Sequence, residues 1–390
     1  MGCAIGAGTV VLYTFPLFAQ GFQREFAWDR SIYANCLSIF LLSTGFGTVT
    51  LGIAIRRFGV RSVACAYVLL FAASTSIAGL LPASPAAFYS VFVLIGLGGA
   101  AATALPYAVA VTGLFDERRG FALGLVNAGA GFGSTLAPQA ARVLLEHLGW
   151  RGGFVSIGAL AGVVPILGLV FLVTEPRRSH AGVYVPASQS LFLKSREFWY
   201  ICAPILGVSI ATFGVMGSIV PFLTDRALAL SSVTLILSTA GMSSWAGRLA
   251  TGYLLDRVFA PVLAATSFVI AIIGIGLLAC STMMPLELAG AALVGVTLGA
   301  EGDLVAYLVS RYFDFTHFSR VLGVMWIAWA WGGGMGTFAT GMSFRLTHSY
   351  LPSWAGFAFM LLVSAVVVTR LSTYRHSTPA PDGPLVKSPV

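Results

Sequence analysis

Charge is what this sequence has least of. Only 9% of its 390 residues are charged, against about 25% in a soluble domain, and acids are scarcest, with 14 Asp and Glu against 22 Lys and Arg. So few polar groups cannot cover a globular surface in water, and the 57% hydrophobic content points to an all-α integral membrane protein. Cysteine is also sparse. Cys3, Cys36, Cys65, Cys202 and Cys280 stand singly in apolar surroundings, with no CxxC or Cys/His spacing, so they read as core residues and not as metal ligands or a disulfide framework. No glycine-rich phosphate loop and no Ser-His-Asp set occurs, which removes support for ATP-driven transport or for an enzyme. No metal or other cofactor is implied. The net charge of +8 would suggest nucleic acid in a soluble chain. Here the basic residues sit in short loops, where membrane topology explains them better.

Long polar stretches are missing too, with one exception. Apolar segments of about 20 residues, the length of a membrane span, are expected at 1–20, 31–55, 62–81, 87–114, 120–146, 151–174, 197–223, 231–255, 261–282, 287–310, 320–344 and 351–372. The first has no basic start and no small-residue cleavage site, so it reads as a span and not as a signal peptide. The polar break from Glu175 to Arg196 divides the twelve spans into two sets of six. The expected organisation is a bundle over 1–174, a central loop over 175–196, a second bundle over 197–372, and a Pro- and Ser-rich disordered tail over 373–390.

Basic residues orient the chain. With the N-terminus inside, fifteen Lys and Arg fall on the cytoplasmic side, including Arg56, Arg57, Arg61, Arg118, Arg119, Arg177, Arg178 and Arg257. Six fall outside: Arg24, Arg30, Arg142, Arg151, Arg226 and Arg345. The positive-inside rule then places both termini and the central loop in the cytoplasm, and the expected location is the plasma membrane, the inner one if the host is Gram-negative. The halves also repeat at a spacing of about 200 residues. "GIAIRRFGVR" from Gly52 corresponds to "GYLLDRVFAP" from Gly252, and "RGFALG" from Arg119 to "SRVLG" from Ser319. Parallel repeats of this size are the signature of a two-bundle secondary transporter with its site at the midplane.

The remaining basic residue, Arg248, lies inside the eighth span. Eight residues of helix separate it from Asp256, a depth of about 12 Å at about 1.5 Å per residue. A charge there costs about 2.5–3.5 kcal/mol on insertion scales unless it faces protein or water, which makes Arg248 a functional candidate. The competing interpretation is a structural Arg paired permanently with a buried acid. Asp303 on the tenth span lies at the same depth, about 12 Å from Arg311, so the two could meet. Glu301 is slightly deeper and about 200° away around the helix, so the two acids cannot face one cavity. Either could exchange protons with a gradient, cap a helix break at Gly302, or hold Arg248 in place.

Among the aromatics, Tyr13, Tyr107, Trp326, Trp329, Trp331 and Tyr307 could line a cavity, although such residues more often pack in the core or face lipid. Tyr307, four residues after Asp303, shares its face. Asn127 and Gln139 on the fifth span are neutral hydrogen-bonding candidates. Gly129, Gly131, Gly133 and Pro138 on the same span suit close packing or bending.

The two loops from Gly52 and Gly252 resemble the "GxLaDRxGrr" signature of the major facilitator superfamily, and the resemblance covers the whole chain. The second copy keeps the acidic-basic pair as Asp256–Arg257. The first departs from it, with Arg56 where the family has Asp, followed by Arg57 and Gly59. "RGFALGLVNAGAGFGSTLAP", "GWRGGF", "GRLATGYLLDR" and "GAEGDLVAYLVSRYF" resemble the bacterial branch near monocarboxylate transporters and the oxalate:formate antiporter. That resemblance implies twelve transmembrane helices in two six-helix bundles and alternating access. It also implies a conformational gate at Gly52, Arg57, Gly59, Asp256 and Arg257, and carboxylate binding at Arg248. A guanidinium suits the last role, because its planar fork matches a carboxylate. The antiporter's second cation, a Lys on the eleventh span, has no counterpart between Arg320 and Arg345, which argues for a monoanion. The expected partners are therefore a small organic anion, protons and the lipid bilayer, with no obligate protein partner evident. A drug or sugar facilitator with a structural Arg248, and a transporter-like solute receptor, are the alternatives.

Overall fold

A computed structural model describes residues 6–102, 119–172, 193, 195–313 and 315–372. The described residues form helices and no strands: α1 (Ala7–Phe26), α2 (Arg30–Phe58), α3 (Val60–Ala78), α4 (Pro85–Gly99, continued by a 3-10 turn Ala100–Ala102), a run over Arg119–Leu172, α7 (Arg196–Asp225), α8 (Leu230–Leu255), α9 (Ala260–Cys280), α10 (Met284–Tyr312), α11 (Phe315–Thr347) and α12 (Leu351–Val368). The long run is two helices. Gly149 has φ 66° and ψ −179°, a region open to glycine alone, and the chain turns there between α5 (119–148) and α6 (150–172). Twelve helical segments result among the described residues.

Seven stretches of described helix are long and apolar enough on their own to cross a membrane. The segments outside those stretches are α1, α4, α8 and α11. Of these, α8 carries Arg248, and both α8 and α11 pack against the opposite half. Where both ends are described, the boundaries follow the sequence expectation to within about five residues except at α1, which runs from Ala7 to Phe26 instead of 1–20; the expected end of the fourth span at 114 and most of the central loop lie outside the described residues. Its extra turn carries Glu25, whose carboxylate accepts from Trp150 Nε1 at 2.7 Å and pairs with Arg151 at 2.9 Å. These polar residues extend the helix because partners on α6 meet them.

Helices pack mainly within each half, α1 and α3 on the α5–α6 run and α2 on α4 in the first, α8 and α9 on α10 and α7 on α11 and α12 in the second. The repeat is visible in the backbone. Ala27 and Ala227 are both left-handed, with φ 53° and 59°, in the α1–α2 and α7–α8 connections. It also governs how the halves meet. On one seam, a Cβ added to Gly45 of α2 would lie 2.7 Å from Trp331 Nε1 of α11. On the other, a Cβ on Gly131 of α5 would lie 2.6 Å from the Trp245 Cβ of α8. Shifting each residue by the 200-residue repeat exchanges the two pairs, so each seam has one indole seated on one bare backbone.

From these pairs toward Arg30 the halves are tied together. Ser38 donates to Gly334 O at 2.7 Å, Gln139 to Ser238 at 3.3 Å and Ser134 to Gly241 O at 3.4 Å. Tyr33 donates to Gly217 O, and Arg30 pairs with Asp225. Gln139 thus serves the seam between halves. Other arginines at this end close helix C-termini: Arg151 donates to Gly79 O and Leu81 O, and Arg226 to Leu278 O, Ala279 O and Ser281 O.

Toward the opposite end, marked by Arg57, the ties stop among the described residues. Arg257 stacks on Tyr253 of its own helix at 3.7 Å and donates to Tyr253 O, and Arg57 lies over Phe58. Cβ atoms added to Gly52, Gly252 or Gly323 would meet no described atom within 4 Å. The Arg30 end is closed by these ties, whereas Arg57 and Arg257 at the other end engage their own helices.

At the closed end, Asp29 caps α2 by accepting from Ser31 N at 2.7 Å. The Ser31 hydrogen bonds, with smaller help from Arg345 and His348, hold its carboxyl below the ordinary aspartate range. A lowered folded-state value means the cap stabilises above the ordinary range and is lost as pH falls through the lowered value. Asp29→Ala is expected to lower stability by about 0.5 kcal/mol, the low end of the capping range because the site is solvent-accessible. Thermal unfolding in detergent at neutral and acid pH checks this, and the difference between wild type and variant should vanish in acid.

Candidate functional site

Close packing of α8 on α10 builds the site. Cβ atoms on Gly295 and Gly299 would run into the backbone carbonyls of Ala240 and Ser244, so neither position admits a side chain at this separation. That approach carries Arg248 to the level of the acids on α10. Arg248 is half-buried, its Nε is buried without a hydrogen-bond partner, and among the described residues it makes no ion pair. Asp303, also half-buried, and Tyr13 are both within its electrostatic reach. The expected meeting of Arg248 and Asp303 is therefore one of proximity without direct pairing.

Glu301 and Asp303 diverge as their spacing requires. Glu301 is 2% exposed and turned into the second half, where Trp329 Nε1 donates to its Oε2 at 2.6 Å. Its Oε1 has no donor. Gly302 between the acids leaves room for Trp326, whose ring edge would sit 3.3 Å from an added Cβ. Trp326 packs edge-on against Trp329 at 5.2 Å, and Trp329 against Phe213 of α7 at 4.8 Å. Tyr13 of α1 is 4% exposed, lies near both Arg248 and Glu301, and has its hydroxyl beside that of Ser134 on α5. Five of the residues expected from sequence, Tyr13, Arg248, Glu301, Asp303 and Trp329, thus converge on one region.

The others stand apart. Tyr307 lies one turn beyond Asp303, where its hydroxyl accepts from Arg311 at 2.8 Å. The side chains of Asn127 and Arg56, and all of Tyr107, lie outside the described residues. Gly52, Arg57 and Gly59 lie in the last turns and at the C-cap of α2, and Asp256 and Arg257 at the C-terminus of α8. Gly59 (φ 85°) closes α2, and Asp256 is the exposed C-cap of α8. Ser134, Thr212 and Phe213 join the site without having stood out in the sequence. A hydroxyl or ring in an apolar span has no distinguishing pattern until its partner from another helix is known.

Chemically, the region offers one cation without an ion partner, two carboxyl groups in unlike surroundings, and an indole-rich wall. Such a set can hold an anion and move a proton.

The chain matches the family model described as Major Facilitator Superfamily over residues 1–337. It is 26% identical to a protein of Bacillus subtilis named uncharacterized MFS-type transporter YcxA, over 91% of this chain and 89% of that one. It is 24% identical to monocarboxylate transporter 13 of Bos taurus, over 95% and 87% of the two chains. The crystal structure of a nucleoside transporter, NupG, superposes with a TM-score of 0.76 at 14% identity, covering 94% of this chain and 98% of that one, a likeness of fold. With twelve helical segments among its described residues and a family match across most of its length, this integral membrane protein belongs to the major facilitator superfamily.

Proposed function

We propose that this protein is a secondary active transporter that carries a small organic monocarboxylate across the membrane by alternating access, coupled to protons through the acids of α10. The observation that carries this reading is Arg248, a guanidinium deep in the bilayer whose Nε is orphaned and which makes no ion pair among the described residues. A buried cation without an ion partner is costly, and a carboxylate ligand is the partner its fork suits. One cation favours one negative charge. The indoles beside it suit an apolar remainder of the substrate. The similarity to proteins named as monocarboxylate transporters supports the same class.

Basic loop residues favour the Arg57 end as cytoplasmic, with both termini there, in the plasma membrane. On that reading the closed Arg30 end faces outside, and transport would alternate between closure of the 1–174 and 197–372 bundles there and closure on the inner side. Gly52, Arg57, Gly59, Asp256 and Arg257 would then come together when the inner side closes. Asp256→Asn is expected to reduce uptake several-fold at matched expression, and more than Arg56→Asp, because position 56 has no carboxylate to lose. Equal losses in the two variants would remove the assigned asymmetry.

A second reading, a sugar or nucleoside facilitator with a structural Arg248, draws on fold likeness to NupG and to a D-xylose-proton symporter. Thermal-shift screening of the purified protein against monocarboxylates, dicarboxylates, sugars and nucleosides separates the two. The carboxylate reading requires stabilisation by a monocarboxylate that disappears in Arg248→Ala. Stabilisation by a sugar or nucleoside that persists in Arg248→Ala would establish the second reading.

A further inference from the structure

The two acids of α10 have unlike surroundings, and hydrogen-bond accounting separates their roles. Glu301 Oε2 accepts from Trp329 Nε1, a group that can only donate. The Thr212 hydroxyl is a neighbour of the Glu301 carboxyl group, while Oε1 itself makes no hydrogen bond at this geometry. That hydroxyl already donates its one proton to Val208 O at 2.9 Å, so it has only lone pairs left to offer. An ionised Glu301 would therefore leave Oε1 buried with no donor at all. A protonated one could turn an Oε1 hydroxyl to Thr212 Oγ1 while Oε2 accepts from Trp329, an arrangement that would satisfy every polar atom of the set.

The remaining neighbours give a charged oxygen no help. Glu301 borders a cavity walled by Pro204, Val208, Phe268, Leu304 and Leu308, which are apolar throughout. The helices α9 and α12 carry no charged residue. On α7 the described charges, Arg196, Glu197 and Asp225, sit at the ends, with the thiol of Cys202 and the phenol of Tyr200 nearer the first turns. On α11 the described charges are Arg320 and Arg345, also toward the ends. From α1 comes Tyr13, and from α8 Arg248, whose field falls on Asp303. On α10 itself Asp303 points away, Tyr307 and Arg311 pair with each other, and Tyr312 and Glu287 lie at the ends.

We infer that Glu301 is the proton carrier, holding its proton on Oε1 toward Thr212 in this state with Trp329 as its positioning residue, and that Asp303 instead screens Arg248 until the substrate arrives. The inference rests on the proton-coupled reading above and names the groups that perform it. Release of the proton leaves Oε1 without a donor, so Thr212 must turn its hydroxyl from Val208 to Glu301 or the carboxylate must swing away. Either change is transmitted to Trp329 and, through its ring contact, to Trp326 beside Gly302. The proton is thereby tied to the wall of the substrate site. Asp303 is the group a substrate carboxylate competes with at Arg248.

Infrared difference spectroscopy on the purified protein, with no substrate added, tests the assignment. At neutral pH a carbonyl band of a protonated carboxyl group is expected. It should vanish in Glu301→Gln, persist in Asp303→Asn, and shift in Thr212→Val and in Trp329→Phe, each of which removes one of its hydrogen bonds. In proteoliposomes, Glu301→Gln should lose accumulation driven by a pH gradient while keeping monocarboxylate exchange, because exchange needs no net protonation change. A band that survives Glu301→Gln unchanged, or one that vanishes in Asp303→Asn, overturns the assignment. So does undiminished pH-driven accumulation by Glu301→Gln. None of these outcomes touches the carboxylate role of Arg248, which fails separately if wild type neither binds nor exchanges any monocarboxylate.

Discussion

Arg248→Ala is expected to abolish saturable monocarboxylate binding while leaving the protein inserted and folded. The helix gains from the change, since a charge at this depth costs about 2.5–3.5 kcal/mol on insertion scales. No ion pair of the described residues is broken by the loss. Arg248→Lys keeps the charge and loses the fork. Binding should weaken by about 1.5–3 kcal/mol, the size of a charge-assisted hydrogen bond and roughly a ten- to hundredfold rise in Kd. Asp303→Asn should act oppositely. It removes the acid nearest in field to Arg248, so the free site attracts an anion more strongly and releases it more slowly. Calorimetric titration of the four proteins with the same monocarboxylate checks the order: Asp303→Asn tightest, then wild type, Arg248→Lys, and Arg248→Ala without binding.

Gly45→Ala is expected to drive the halves apart at the Arg30 end and cut transport. Its new methyl would sit 2.7 Å from Trp331 Nε1 and 2.9 Å from Cδ1, an overlap the seam must open to relieve. Overpacking of this kind costs about 1–3 kcal/mol, equivalent to a roughly 5- to 150-fold change in the balance between closed and open states. Because the obstruction is the tip of an indole, Trp331→Ala should rescue it. The other seam should not be rescued in the same way. A methyl on Gly131 would meet the Trp245 Cβ itself at 2.6 Å, and Trp245→Ala retains that atom. The labelling rate of a single cysteine placed at Ser38, in a background free of other cysteines, reads the opening directly. Rescue in the first pair and none in the second is the expected pattern, and equal behaviour of both pairs would contradict the described contacts.

The sequence showed the fold clearly because a bilayer permits few alternatives. Apolar length, one polar break and a 200-residue repeat left little besides two bundles of six helices, and among the described residues the all-helical fold agrees, with α1 displaced. Helix α1 slides to Ala7–Phe26 because Glu25 finds Trp150 and Arg151, residues 125 and 126 positions away. The turn between α5 and α6 comes down to a single glycine at 149 whose backbone angles no spacing could announce. For the site, depth along a helix put Arg248 and Asp303 at one level, in keeping with the field of Arg248 at Asp303, and angular spacing separated Asp303 from Glu301. What spacing could not supply was the partner of each. Tyr307 was grouped with Asp303 by its face, and it is Arg311 on the same face that takes its hydroxyl. Trp329 was one of three indoles with no reason to prefer it until Glu301 was seen to accept from it. Thr212 and Ser134 were invisible in sequence, since a hydroxyl that can satisfy itself on its own helix carries no signal of a second role.

The central claim is that Arg248 receives the carboxylate of a transported monoanion. Uptake of a radiolabelled monocarboxylate into proteoliposomes under an inward proton gradient, run in parallel for wild type, Arg248→Lys and Arg248→Ala, tests it most directly. Uptake by wild type that is saturable, competed by other monocarboxylates, reduced in Arg248→Lys and absent in Arg248→Ala is the predicted result. Uptake by Arg248→Ala equal to that of wild type would contradict it and return Arg248 to a structural role.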